Sequence, residues 1–412
     1  MKNVMMTVTG LLVLLMLGGC LPQNGEEEEQ EVIVVEDTEE GETEFGFTPT
    51  VDSDGVYFRT VLQDGVYFRS DARGAVNDAF NNRVDLDQLE TGLMEIASGF
   101  YSPDDFYLTE GQHLSGNLIN SWLNRANPLD QTTENDEGEA VYDPGPGLNP
   151  GVAEENPGSV EAQADQMREA PLMISHIMEH NYWTGSGEDG VELEGIVIGI
   201  GLRAVYYFNT RNEDGTINFY EQTLDREEVQ AYGREQAQVI LNRLRSESFE
   251  SIPNDVPITF ALYQEEPRGA VAPGGFTAMT HVAGGSLQID GWETVNERFV
   301  VFPSGEARSY DANLANQMSQ FREETEDFFD RKIGAVGTAR YRDDILEEMT
   351  IELNLQSHGQ AEIIALSQFI SDRLAELITV QVPVRVYIES VSGMEAIIIQ
   401  HPDEEPFMHI LR

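Results

Sequence analysis

Apolar positions along the 412 residues fall into distinct patterns, and each predicts a different kind of segment. The first is a continuous apolar run from Val4, densest at residues 11–17, with Lys2 ahead of it and Gly18-Gly19-Cys20 behind. It is too short for a spanning helix. A basic start, apolar middle and small-residue end make a secretory signal. A near-repeat follows, Gly55-Val56-Tyr57-Phe58-Arg59-Thr60 and Gly65-Val66-Tyr67-Phe68-Arg69-Ser70, whose alternation predicts a hairpin or two short edge strands. Helical spacing then predicts helices over 86–99, with Leu86, Leu89, Leu93 and Ile96 on one face, and over 111–125.

Beyond residue 165 the chain alternates strands and helices. Strands are predicted at 196–208 and 216–221, a helix from the N-cap Asp225 to Leu244, and strands at 256–264 and 276–281. The C-terminal part repeats the order: strands at 335–341 and 349–355, a helix at 360–377, strands at 382–390 and 396–400. Val256-Pro257 and Val382-Pro383 occupy the same place in the two halves. The predicted fold is α+β: two similar strand-strand-helix-strand-strand units, preceded by a smaller mixed region. A helix over 311–329 joins the units, with Leu314, Met318, Phe321, Phe328 and Phe329 inward. The expected divisions are a signal peptide (1–19), an acidic tether (20–54), an N-terminal mixed region (55–126), a Pro/Gly/acid-rich surface linker (127–165), a first unit (166–300), and the connecting helix with the second unit (301–412).

Cys20 is the chain's one cysteine, so no disulfide or cysteine-rich metal site is available. Its position after Leu17-Gly18-Gly19 predicts cleavage between Gly19 and Cys20 and acylation of Cys20, the anchor being lipid, not helix. Acyl chains contribute roughly 0.8 kcal/mol per buried methylene. The expected location is the outer face of the cytoplasmic membrane with the body extracellular. Residues 21–54 carry 13 acidic residues and no basic one. Such self-repelling sequence makes a disordered tether spanning roughly 30 Å.

Charge narrows the partners. Net charge is −50, from 74 acidic and 24 basic residues, which excludes nucleic acid and flat docking on an anionic leaflet. Only Lys2 and Lys332 are lysines. Guanidinium keeps its charge in alkaline medium where ammonium loses it, so the surface suits an alkaline or saline habitat.

Four constellations bear on chemistry. His176-Ile177-Met178-Glu179-His180 is an H-x-x-E-H pattern. On a helix it would place both histidines on one face as zinc ligands, with Glu179 as general base of a peptidase. The alternative is a short helix after Pro171 whose histidines are exposed or hydrogen-bonded. Arg59, Arg69 and Arg73 collect guanidiniums that could clamp a ligand carboxylate or phosphate, or pair with local acids. Gly195, Gly199 and Gly201 lie within a strand and thin it for close approach of a helix or ligand. Tyr206, Tyr207, Phe208 and Tyr220 line a groove or pack across strands. No serine nucleophile elbow or lysine-bearing phosphate loop is present.

Several segments resemble, in order, the CamS-type sex-pheromone-precursor lipoproteins of low-GC Gram-positive bacteria. They are Phe58-Arg59-Thr60-Val61-Leu62, Ala72-Arg73-Gly74, Tyr107-Leu108-Thr109-Glu110-Gly111-Gln112, Gly147-Leu148-Asn149-Pro150, Ile174-Ser175-His176-Ile177, Glu194-Gly195 leading into Val205-Tyr206-Tyr207, Phe302-Pro303-Ser304, and residues 361–369. The resemblance implies that the cleaved signal yields an apolar pheromone-like peptide, here Val13-Leu14-Leu15-Met16-Leu17-Gly18-Gly19. It implies no enzymatic activity and no cofactor beyond the acyl group on Cys20. The body is then expected to bind a peptide, a wall component or another surface protein.

Overall fold

The computed structural model describes residues 45–50, 55–73, 83–129, 132–134, 140–143, 145–154, 157–186, 190–246, 249, 251–329, 333–356 and 359–411. The signal peptide, its cleavage site at Gly19 and Cys20, the apolar segment 13–19 and most of the tether lie outside those residues. The described residues all fall within one compact unit.

Strands β1 (Phe45–Phe47), β2 (Arg59–Gln63) and β3 (Val66–Tyr67) open the body. Leu62 pairs with Tyr67 and Gln63 with Val66 across the turn Asp64-Gly65. Both turn residues have positive φ, 51° and 72°, as a two-residue turn matching strand twist requires. The predicted hairpin therefore forms, between the strand leaving the first copy and the start of the second.

Helix α1 (Arg83–Ser98), strand β4 (Tyr107–Glu110), helix α2 (Gly116–Leu123), strands β5 (Thr132–Glu134) and β6 (Ala140–Tyr142), and helix α3 (Val160–Glu169) follow. The stretch 127–165 is not surface throughout: Leu148 and Asn149 are buried. Asn149 Nδ2 donates to the carbonyls of Leu123 (2.8 Å) and Ile174 (3.0 Å). Its Oδ1 accepts from the amides of Met173 (2.7 Å) and Ile174 (2.8 Å), stitching this loop to the next strand.

The first large sheet is completed by β7 (Ile174–Ser186), β8 (Gly190–Leu202), β11 (Ile258–Gln264), β12 (Gly275–Val282) and β13 (Glu293–Thr294). Between β8 and β11 come β9 (Val205–Arg211), β10 (Ile217–Thr223) and helix α4 (Arg226–Leu244). The order is β1-β2-β4-β7-β8-β11-β12-β13, with β3 on β2. Two corrections follow. The segment expected to hold a short helix after Pro171 is the strand β7, and the strand expected over 196–208 is two strands. The second of these, β9, leaves the sheet to pair with β10 in a separate ribbon.

The second sheet, ordered β14 to β19, comprises β14 (Glu297–Phe302), β15 (Gly334–Arg342), β16 (Ile345–Leu355), β17 (Val384–Ser390), β18 (Gly393–Gln400) and β19 (Phe407–Ile410). Helices α5 (Gly305–Tyr310) and α6 (Ala312–Phe329) precede β15, and α7 (Gln360–Leu377) links β16 to β17. Both sheets contain the same run of pairings: β7/β8 antiparallel, β8/β11 parallel and β11/β12 antiparallel, then β15/β16, β16/β17 and β17/β18 likewise. Each parallel strand enters through its Val-Pro pair. The Pro257 carbonyl accepts from Ile196 N, and the Pro383 carbonyl from Met349 N, both at 3.1 Å. The first unit is thus built from β7, β8, α4, β11 and β12, with the β9–β10 ribbon inserted.

Packing explains the patterns. Ile196, Ile198, Ile200 and Leu202 face the core beneath α2 and α4, where Ile119, Trp122, Ala237, Ile240 and Leu244 are buried. The alternate β8 positions carry Val197 among Leu89, Leu93 and Ala97 of α1. A Cβ on Gly199 would sit 2.8 Å from Leu93, and one on Gly195 1.7 Å from the Tyr101 hydroxyl. The glycines of β8 therefore admit α1. In the second sheet Met349, Ile351, Leu353 and Leu355 are buried against α6 and α7 while Glu352 and Asn354 point away, the alternation of a sheet covered on one face.

An ion cluster joins the two sheets. Arg340 of β15 donates to Glu297 Oε1 (2.7 Å) and, through Nη1, to Glu95 of α1 (2.8 Å). Glu297 also accepts from Phe276 N of β12 (2.8 Å) and Gln88 of α1 (3.3 Å). The Arg340 side chain is 6% exposed and that of Glu297 0%. Burial would raise the Glu95 carboxyl, but Arg340 and Arg342 outweigh it and hold the group below its ordinary value.

Gly195→Ala is expected to lower unfolding stability by about 1–3 kcal/mol in urea denaturation, since its Cβ displaces a buried tyrosine. Arg340→Leu is expected to cost about 3–5 kcal/mol, because Glu297 is left buried without its cation. The Glu95 part of that loss is present above its unfolded pKa and fades as pH falls through the depressed folded value. Denaturation midpoints at pH 7 and pH 3 check both magnitude and sign.

Candidate functional site

A cavity of about 150 Å³ opens where β4 ends against β7. β4 pairs with β7 only from Glu110 opposite His180 to Tyr107 opposite Trp183. Past that point the chain turns away into α2, and space remains between β7, α1 and the segment after β3. Its lining includes Arg73, Leu86, Glu90, Glu110, Ile119, Met178 and His180.

The turn away from β7 is held by Glu179, whose carboxylate accepts from the amides of His113 (3.1 Å) and Leu114 (2.7 Å) and from Asn181 Nδ2 (2.7 Å). Asn181 Oδ1 in turn accepts from Gln112 N at 2.8 Å. Gly111 is required beside it, because a Cβ there would lie 2.6 Å from the Glu179 carboxylate. Ser115 then caps α2, its side chain accepting from Leu118 N. Glu179 thus fixes a loop, with its oxygens taken by backbone and amide donors.

At the mouth, Glu110 accepts from the Tyr67 hydroxyl (2.7 Å) and Ser70 N (2.9 Å), and pairs with Arg73. Burial first, and the bond to Glu110 second, push the Tyr67 hydroxyl up to about 12. Below, His176 and His180 are buried, and burial pushes each imidazole down to about 4. Both rings are neutral in the folded protein at pH 7. His180 Nδ1 has no hydrogen-bond partner.

The H-x-x-E-H pattern therefore lies on a strand, not a helix. His176 and His180 share a face at strand spacing as well, whereas Glu179 is an odd step away and serves the loop. Among the described residues no group of three or more His, Cys, Asp or Glu side chains converges as a metal ligand set. The three arginines do not meet at this cavity, where Arg73 alone of them is part of the lining. Arg59 stacks on Tyr107, 4.6 Å from the ring centroid, and donates to its hydroxyl at 3.3 Å. Arg69 is exposed. The β9–β10 aromatics pack across strands: Phe208 stacks on Tyr206 and on Tyr220, both at 4.9 Å, next to Ala164 of α3. Tyr207 lies on the other face under Arg268 at 4.4 Å. Glu90, Glu110 and Met178 escaped the sequence reading as site residues, since nothing in their spacing shows that β4 stops short of β7.

The comparisons agree with this architecture. The family model described as CamS sex pheromone cAM373 precursor matches residues 67–406. The chain belongs to that family. Its fold is similar to the crystal structure of a sex pheromone precursor from Lactobacillus salivarius subsp. salivarius UCC118, with TM-score 0.73, 22% identity, 89% of this chain and 99% of that one covered. It is also similar to the C-terminal domain of the sex pheromone staph-cAM373 precursor from Staphylococcus aureus, with TM-score 0.63, 26% identity, and coverage of 81% and 98%. No curated protein sequence matches the chain.

A further buried carboxylate lies at the far ends of the parallel strands β8 and β11. Glu265 is 3% exposed, beside the equally buried Arg203. Burial pushes its carboxyl up to about 8 against the opposing charge of Arg203. Between about pH 4.5 and 8 the folded state holds a proton that the unfolded chain has released, so stability falls as pH rises through that window. Glu265→Gln removes this dependence. Its stability relative to the parent is expected to grow by up to about 1.4 kcal/mol per pH unit from pH 5 to 8, read from urea midpoints at each pH.

Proposed function

We propose that the chain is exported, cut between Gly19 and Cys20, and held on the outer face of the cytoplasmic membrane by acyl chains on Cys20. The carrying observation is Leu17-Gly18-Gly19-Cys20 directly behind an apolar run, with Cys20 the one cysteine of the sequence. Residues 20–54 act as an acidic spacer that keeps the body off the anionic surface. The released leader supplies the apolar peptide Val13–Gly19, in keeping with the family.

The body in this reading is a non-enzymatic binding module. Three features support that part: Glu179 is committed to backbone amides, the histidines beside it are neutral and buried, and an apolar cavity stands next to them. The module takes a peptide, a wall component or a surface protein at that cavity, with Arg73 at its mouth.

Cys20→Ala is expected to move the protein from the membrane fraction to the medium, followed by immunoblot of fractionated cells. Mass spectrometry of the parent protein is expected to find a mature chain that starts at acylated Cys20. Retention of Cys20→Ala in the membrane, or an unmodified residue 20 in the parent, contradicts the anchor.

A further inference from the structure

The cavity where β4 leaves β7 has a chemistry specific enough to name its ligand class, on the reading of the body as a binding module. Its walls include Leu86, Ile119 and Met178, from three different elements. A volume near 150 Å³ is on the order of that which accepts one benzene-sized guest, so it holds a single aliphatic side chain. Lining it further in is His180, 3% exposed, whose Nδ1 lacks a partner. A neutral imidazole carries one acceptor nitrogen, and an unfilled one in a buried place is costly unless a ligand meets it.

Among the described residues the lining carries more negative than positive charge: Glu90 and Glu110, with the loop-bound Glu179, set three carboxylates against the guanidinium of Arg73. Glu110 is already served by Tyr67, Ser70 and Arg73. Glu90, on the exposed rim of α1, has no hydrogen bond or ion pair among the described residues. A ligand carboxylate would meet this excess of like charge, whereas a ligand ammonium would relieve it. An ammonium also brings three donors for the available acceptors.

We propose that this cavity binds the free amino terminus of an apolar peptide, with the ammonium at Glu90 and His180 and the first side chain against Leu86, Ile119 and Met178. Arg73 then acts as the counter-charge that holds Glu110 in place, not as a clamp for a ligand anion. The peptide then runs outward past Arg73 and Glu110.

The test is isothermal titration calorimetry of the mature chain with trileucine amide and with N-acetyl-trileucine amide, neither of which has a carboxylate. The free amine is expected to bind, and acetylation is expected to weaken it about tenfold or more. Glu90→Gln, at an exposed position and checked for folding by circular dichroism, is expected to weaken the free amine to a similar degree while leaving the acetylated peptide unchanged. Equal binding of the two peptides, an unaltered affinity in Glu90→Gln, or no heat from either peptide up to millimolar concentration overturns the proposal. So does tighter binding of N-acetyl-leucine, whose only charged group is a carboxylate. None of these results touches the membrane anchor, which the Cys20→Ala fractionation tests separately.

Discussion

The buried contact of Arg340 with Glu297 and Glu95 fixes how the two sheets meet. Glu297 begins the second sheet, yet its carboxylate also takes an amide of β12 and a side chain of α1. Arg340 reaches back from β15 to the same helix. Two apolar faces can slide over one another at little cost, since hydrophobic burial has no direction. Charges sunk this deep tolerate no such slip, because an unmatched partner costs several kcal/mol. The cluster supplies registry more than net stability.

The two sheets repeat one arrangement with different surroundings. In both, a helix carries the chain from the second strand to a parallel third strand that enters through Val-Pro. The first sheet has helices on both faces, so β8 and β11 are apolar nearly throughout and β8 needs glycines where α1 lies close. The second has one solvated face, and its strand β16 alternates buried and polar positions. The inserted β9–β10 ribbon and the early end of β4 belong to the first half alone. They are what create cavities there.

Glu179 shows how a motif changes meaning with its backbone. Its neighbours suggest metal chemistry when drawn on a helix. On β7 its carboxylate turns toward the amides that start α2, and the histidines go to a dry face where they stay neutral. The same residue types thus build a wall and a loop anchor. The tertiary fold decides between those outcomes, because ligand geometry depends on side-chain direction as well as spacing.

Much of the fold was legible in the chain. The α4 N-cap at Asp225, the bounds of α7, and the four strands β15 to β18 of the second sheet follow from local periodicity and capping, which depend only on near neighbours, whereas the edge strands β14 and β19 were not seen. The hairpin at Asp64-Gly65 follows from a turn that only certain residues enter. By contrast, β7 was hidden, because a strand buried on both faces has no alternation to show. The break after Leu202 was hidden for a similar reason, as apolar sequence continues into a strand that pairs elsewhere. The cavity beside His180 was beyond any local signal. It exists because β4 ends four residues into its pairing with β7, and where a strand runs out is settled by contacts far apart in sequence.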